Sequence, residues 1–334
     1  MKNLFNIDMH ISIVHDVKTL LPEIGYRVDS CCMSGHTWVN KGANIEITTF
    51  IGCPLACRYC PQDVLISKYK GEGYTGKREM SLEFFKDTLA KIPKEVQILF
   101  SGYVEPWTNP FCTEMVLHTL EQGYRLSVFT TLQGLSAEDA DTVLNEFRKR
   151  DDQLNIICVH LPDKDMFMRG WKDEEPYFKV LDKFFTFFLE KGGLSPRFQA
   201  MTMDKNGEPH PSIVERYGLR VGGFVGWDRA GALKGEENKV DESVMTAKVR
   251  NTFKNGCGAT PSTYYNHQVL LPNGDVQICC MDYGLKNKLG NLGELDKWED
   301  IFSTPEYKRI EELSNTAEFT EELICKSCDL ACEI

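Results

Sequence analysis

The 334-residue sequence has no apolar run of the about 18 residues that a membrane-spanning helix needs. No transmembrane segment and no membrane partner are expected. Its opening, Met1 to Asp8, has neither the apolar core nor the cleavage site of a secretory signal. Low-complexity tracts and short-period repeats are missing. Positive charge is in deficit: 38 Lys and Arg stand against 49 Asp and Glu, a net charge of −11. That balance leaves no basic footprint for a nucleic acid. A strand–helix–strand pattern over residues 9–33 has no glycine-rich loop to cradle phosphate, so it gives no support for nucleotide binding.

Cysteine, by contrast, is abundant, with thirteen in a chain of 42% apolar and 26% charged residues. Without a secretory signal, such a count points to a reducing, cytoplasmic compartment and to metal chemistry, not to disulfides. Three of them, Cys53, Cys57 and Cys60, stand in the spacing C-x3-C-x2-C after an apolar, β-branched run, Ile45 to Phe50. Thiolates this close on one loop converge on a soft metal centre. Three ligands leave one iron of a four-iron cluster open, as a catalytic centre requires. A zinc knuckle is the competing use of such a spacing.

Downstream, strand-like runs at Val96–Phe100, Tyr124–Thr130, Leu154–His160, Arg197–Met203 and Leu219–Val225 alternate with helical patterns. Ser81 is an expected N-cap, Gly123 a helix stop, and Ser136 to Asp139 a capping box. Phe178, Leu181, Phe184, Phe185, Phe188 and Leu189 form a stripe expected to pack in the core. The alternation predicts an α/β fold with a parallel sheet whose loops meet along one edge. Cys31, Cys32, Cys112 and Cys158 read as small core residues. His36 and Trp38 read more simply as an ordinary turn than as pocket-lining residues.

The three-cysteine loop, with Tyr59 before its last cysteine and Pro61 after it, resembles the radical S-adenosylmethionine superfamily. The resemblance implies a partial (β/α)6 barrel over residues 42–232 and two cofactors at one site, a 4Fe-4S cluster and S-adenosylmethionine. It implies reductive cleavage of that cofactor to a 5′-deoxyadenosyl radical, which abstracts hydrogen from a substrate C–H bond. An external electron donor such as flavodoxin or ferredoxin is implied as well. Gly102, Glu105 and Pro106 resemble the family's Gly-Gly-Glu segment, which holds the cofactor's amino group, although Tyr103 and Val104 interrupt its usual small residues. Thr130 and Thr131 fall where relatives contact ribose. Arg229, in Trp227-Asp-Arg-Ala-Gly231, falls where relatives meet the cofactor carboxylate. His160, at the end of the fourth strand, is a candidate base for a substrate hydroxyl.

Residues 233–254 read as a linker. From 255 to 334 the sequence resembles the SPASM/twitch extension of the superfamily. The resemblance rests on a hairpin around Pro272-Asn-Gly-Asp275, a Leu289-Gly-Asn-Leu292 element, short helices near Trp298 and Tyr307, and a closing Cys325-x2-Cys328. It implies one auxiliary 4Fe-4S cluster on Cys257, Cys279, Cys325 and Cys328, with Cys280 or Cys332 able to replace one of them. Structural zinc is the alternative. Residues 1–41 are too few for a leader-binding domain plus a linker, which argues against a ribosomal-peptide substrate. Dehydrogenation of a sugar or cyclitol alcohol, with the auxiliary cluster as electron acceptor, is therefore expected. An epimerase using Cys280 or Cys332 as hydrogen donor, a peptide-modifying enzyme and a non-catalytic electron carrier are the alternatives.

Overall fold

The computed structural model describes residues 43–71, 77–204, 206–219, 221–223, 229–233, 267–314 and 320–328. The expected strand–helix–strand of residues 9–33, the cysteines Cys31, Cys32, Cys257 and Cys332, the pair His36 and Trp38, Trp227, and residues 234–254 of the expected linker lie outside them.

Five strands run parallel: β1 (Asn44–Ile47), β2 (Gln97–Phe100), β3 (Leu126–Thr130), β4 (Leu154–Leu161) and β5 (Phe198–Thr202). Helices α1 (Gln62–Tyr69), α2 (Leu82–Ala90), α3 (Cys112–Glu121), α4 (Ala137–Lys149), α5 (Glu175–Glu190) and α6 (Pro211–Tyr217) lie between or after them. Parallel neighbours require such crossovers, which carry every strand's C-terminal end to the same edge. β1, β2 and β5 are buried throughout, and β3 and β4 at all but Phe129, Asn155 and His160, as in sheets covered on both sides.

Local signals behave as their chemistry dictates. Ser81 Oγ accepts from the Phe84 amide at 3.2 Å and starts α2. Ser136 Oγ accepts from the Asp139 amide at 3.0 Å and starts α4. Gly123 takes φ +81° just past α3. The phenylalanine stripe of α5 is buried in the core, with only Leu189 partly covered, and Cys112 and Cys158 are fully buried. The expected sixth strand is smaller: among the described residues of 219–225 it is a single parallel bridge, Met201 to Gly222.

The C-terminal segment extends this sheet. β6 (His267–Leu270) lies parallel to β1, so that Asn44 faces His267. β7 (Asp275–Gln277) and β8 (Lys288–Asn291) follow antiparallel, giving the order β5-β4-β3-β2-β1-β6-β7-β8. The predicted hairpin is β6–β7, turned by Gly274 at φ +91°. The Leu289–Leu292 element is mostly strand: it pairs with β7, and its side chains bury Leu289 and Leu292. A 3-10 turn at Trp298–Ser303 and helix α7 (Pro305–Ser314) close this part. No helix among the described residues is long and apolar enough to cross a membrane.

Because paired residues share a face, the register sorts the central strands. Ile45, Ile47, Ile98, Phe100, Leu126 and Val128 form an apolar face within the helix-packed core. Asn44, Glu46, Gln97, Ser127 and His267 put buried polar groups on the other. A buried polar face needs partners or a ligand.

Candidate functional site

The cysteine loop leaves β1 at the common edge. Arg78 holds its start, donating from Nε and Nη2 to the Ile51 carbonyl at 3.0 and 2.8 Å. A segment between β4 and α5 braces its middle. The Arg58 amide donates to the Phe167 carbonyl at 2.9 Å, and the Gly170 amide to the Leu55 carbonyl at 2.7 Å. Gln62 ties the loop to the next strand end. Its Oε1 accepts from the Cys53 amide at 3.1 Å, and its Nε2 donates to the Tyr103 carbonyl at 2.6 Å.

So held, Cys53, Cys57 and Cys60 all line one cavity of about 120 Å³, shared with Tyr59, Gly102, Glu105, Thr130, Thr131, His160 and Arg229. The ten barrel residues singled out in the sequence are thus brought together. Burial pushes the Cys53 thiol up to about 11. Burial, then the charge of Cys60, holds Cys57 well above the usual thiol range. Thiols that resist ionisation singly, yet face one space, suit a cation that neutralises them together.

Glu105 is buried, and burial lifts its carboxyl to about 7 despite strong hydrogen bonds. Thr130 Oγ1 donates to it at 2.6 Å, and the Thr131 amide and hydroxyl donate at 2.6 and 2.8 Å. The two threonine hydroxyls, expected at a ribose, are thus engaged with Glu105 here. Gly102 takes φ +67°, and a Cβ there would lie 2.4 Å from Thr48 Oγ1, so glycine answers a close approach of backbone to the residue that follows β1. Its amide donates to Glu46 Oε2 at 2.9 Å.

Arg229 reaches in from beyond β5. Its Nε donates to the Tyr59 carbonyl at 3.3 Å, and its guanidinium lies 5.7 Å from the Tyr283 ring centre. His160 lies 6.3 Å from the Phe129 ring. Burial, then the Arg229 charge, lowers the imidazole to about 4, which keeps it neutral.

Glu46, His267, Tyr103 and Tyr283 escaped sequence reasoning, whereas their neighbour Cys280 was singled out there. Glu46 and His267 pair at 2.6 Å across β1 and β6, both buried. Burial raises the Glu46 carboxyl, but the His267 bond and charge outweigh this and leave it below its usual value. Cys280 puts its sulfur within 4.8 Å of donor atoms of this pair, and it does not line the cavity. Tyr103, the residue that interrupts the small-residue segment, donates to the carbonyls of Cys279 and Asp282 at 2.8 and 3.1 Å. Tyr283 packs on it with the two rings tilted, and it touches Cys60. The signal for Tyr103 was its departure from the expected pattern; the others carried none.

Cys279, Cys325 and Cys328 are all buried. Asn287 joins their segments: its carbonyl accepts from the Ile278 amide at 3.1 Å, and its Oδ1 accepts from the Ile324 amide at 2.8 Å.

Residues 257–329 match the SPASM family, described as an iron-sulfur cluster-binding domain. No curated protein matches the sequence. Among solved structures, the chain is similar to BtrN in complex with AdoMet and 2-DOIA, at 17% identity and a TM-score of 0.51, covering 86% of this chain and 92% of that one. Others are anSMEcpe with bound AdoMet, at 14% identity, 86% and 84% coverage and TM-score 0.47, and Streptococcus suis SuiB bound to precursor peptide SuiA, at 13%, 98% and 74%, and 0.38. Motif, fold and matched domain agree: the chain has the radical S-adenosylmethionine fold with a C-terminal SPASM iron-sulfur cluster-binding domain.

Proposed function

We propose that this chain is a radical S-adenosylmethionine oxidoreductase that dehydrogenates a small alcohol, of the sugar or cyclitol class. The observation that carries the reading is the convergence of three thiols, a carboxyl, a guanidinium and a neutral imidazole on one cavity. The donor set fits a 4Fe-4S cluster on Cys53, Cys57 and Cys60: all are sulfur, all face one space, and one coordination position is left over. With S-adenosylmethionine bound there, the cluster would supply the 5′-deoxyadenosyl radical that takes hydrogen from carbon.

The protein's own residues do the rest. Glu105, pre-oriented by Thr130 and Thr131, accepts the cofactor's ammonium group, whose charge favours the ionised carboxylate. Arg229 holds the cofactor carboxylate, and Gly102 with Tyr59 shapes the wall beside it. His160, neutral, accepts a hydrogen bond from the substrate hydroxyl and receives its proton on oxidation. Leu55, Val104, Phe129 and Met203 line the same cavity and limit water.

In the matched domain, Cys257, Cys279, Cys325 and Cys328 would hold an auxiliary 4Fe-4S cluster, which would supply an acceptor for the second electron. The AdoMet and 2-DOIA bound in BtrN support a small ligand beside the cofactor. Cys280 stands off the cavity, which favours oxidation over epimerisation with that thiol as donor.

The test is anaerobic reconstitution with iron and sulfide, then dithionite and S-adenosylmethionine. 5′-Deoxyadenosine should form, and the Cys53→Ala/Cys57→Ala/Cys60→Ala variant should form none. The oxidised product should be two mass units below the substrate; unchanged mass with solvent deuterium incorporated would mean epimerisation instead.

A further inference from the structure

We propose that the SPASM domain sets the reduction potential of the first cluster through one hydrogen bond, from the Tyr283 hydroxyl to the Cys60 sulfur. The inference rests on the assignment of a cluster to Cys53, Cys57 and Cys60. Tyr283 lies in the loop after β7, 223 residues beyond Cys60, and its Oη stands 3.4 Å from Cys60 Sγ.

Both sides of this contact are held in place. The Tyr283 ring is 2% exposed and packs on Tyr103 with ring centres 4.7 Å apart. Tyr103 donates to the Cys279 and Asp282 carbonyls, the two residues that lead the chain into Tyr283. The Tyr283 amide closes a turn onto the Met281 carbonyl at 3.0 Å. Asp282 fixes the far side of the loop, accepting from the Lys286 and Asn287 amides at 2.9 and 2.7 Å. Cys60 is placed by its own amide, which donates to the Cys57 carbonyl at 3.1 Å.

The direction of the bond follows from the chemistry. A cysteine bound to iron has lost its proton and can only accept, so the phenol is the donor. Reduction adds negative charge to the cluster and its sulfurs. A donor aimed at one sulfur stabilises the reduced state more than the oxidised one, and so raises the potential. Tyr283 is a positioning residue in this role; it touches a ligand and takes no part in bond making.

The experiment uses the full chain carrying both clusters, under anaerobic conditions. Electron paramagnetic resonance follows a redox titration, and the first cluster's signal is the one lost in Cys53→Ala/Cys57→Ala/Cys60→Ala. Tyr283→Phe should keep iron and sulfide content and shift the midpoint to a more negative value. Pulsed resonance in D2O should show an exchangeable deuteron coupled to the first cluster in the natural protein and in Tyr103→Phe that is missing in Tyr283→Phe. An unchanged midpoint in Tyr283→Phe, or no coupled deuteron in the natural protein, overturns the inference; the latter needs no variant to fold. An equal midpoint shift in Tyr103→Phe also overturns it, because the cause is then loop displacement. Full iron retention in the triple cysteine variant would instead remove the cluster assignment beneath it.

Discussion

Glu105 shows what one buried carboxyl does to pH dependence. Its protonation is favoured in the fold, from an ordinary 4.5 to about 7. A raised value means that its contribution to stability is complete below about pH 4.5 and is lost as pH rises through about 7. That difference corresponds to roughly 3 kcal/mol for a group this buried. Without cofactors, the natural protein should lose stability across this window relative to Glu105→Gln, measured by urea unfolding at a series of pH values. The same group gives the opposite sign for ligand binding, because only the carboxylate attracts an ammonium. Affinity for S-adenosylmethionine should rise through about pH 7 in the reconstituted protein and be flat in Glu105→Gln. In that variant and in Arg229→Ala it should be weaker by about ten- to a hundredfold, as expected for a lost charge-assisted bond. Titration showing the same affinity for both variants removes them from the site.

Glu105 and the three cysteines were legible because each sits in a short motif whose chemistry is local. The partners of Thr130 and Thr131 were not, since their hydroxyls answer a residue about 25 positions away on the neighbouring strand end. Strand adjacency, which no spacing encodes, decides that contact.

At the scale of elements, the segment behind the cysteine loop is the least visible from sequence and among the most constrained. A Cβ on Gly170 would lie 2.1 Å from the Pro54 carbonyl oxygen, and 2.9 Å from the Leu55 Cα. Both atoms are backbone of the loop, so neither yields by a rotamer change. Gly170→Ala should cost about 1–3 kcal/mol, the usual range for overpacking. It should lower iron bound at the first cluster while leaving the auxiliary cluster loaded, read as iron per chain with and without the Cys325→Ala/Cys328→Ala change. The strands and caps themselves were readable, since β2 to β5 and helices α2 to α5 follow period and capping chemistry. The Leu289–Leu292 element took strand form because β7 offered it an edge, which is a tertiary choice that short apolar segments leave open.

For the whole molecule, the decisive contact is between β1 and β6. Glu46 and His267 meet there, fully buried, and Glu46 in turn accepts from Ser101 and Gly102 at the cavity wall. Removing one partner of such a pair leaves the other buried without compensation. His267→Ala should therefore cost about 3–5 kcal/mol in denaturant unfolding. A cost under about 1 kcal/mol, the worth of an exposed pair, would mean that water reaches the pair. The Cys325→Ala/Cys328→Ala variant tests the division of labour between the two cluster sites. If it remains folded by circular dichroism, it should still cleave S-adenosylmethionine and fail to deliver oxidised product; full product from it would end the electron-acceptor role.

The same β1–β6 pairing fixes a timetable. His267 is 221 residues later in the chain than Glu46. At about 5–20 residues per second, a ribosome needs roughly 10–45 s to cover that distance. Once β2 has been made, β1 can pair with it but has no neighbour on its other side until β6 arrives. A buried strand with one apolar face and an unpaired edge invites pairing with another chain. Chains halted before β6 should therefore associate on release, and should do so less when Ile45 or Ile47 is replaced by lysine; sedimentation of a series of stalled lengths would locate the change at the emergence of β6. The C-terminal strands thus act, in the life of the nascent chain, as the late cover for the first of the described strands.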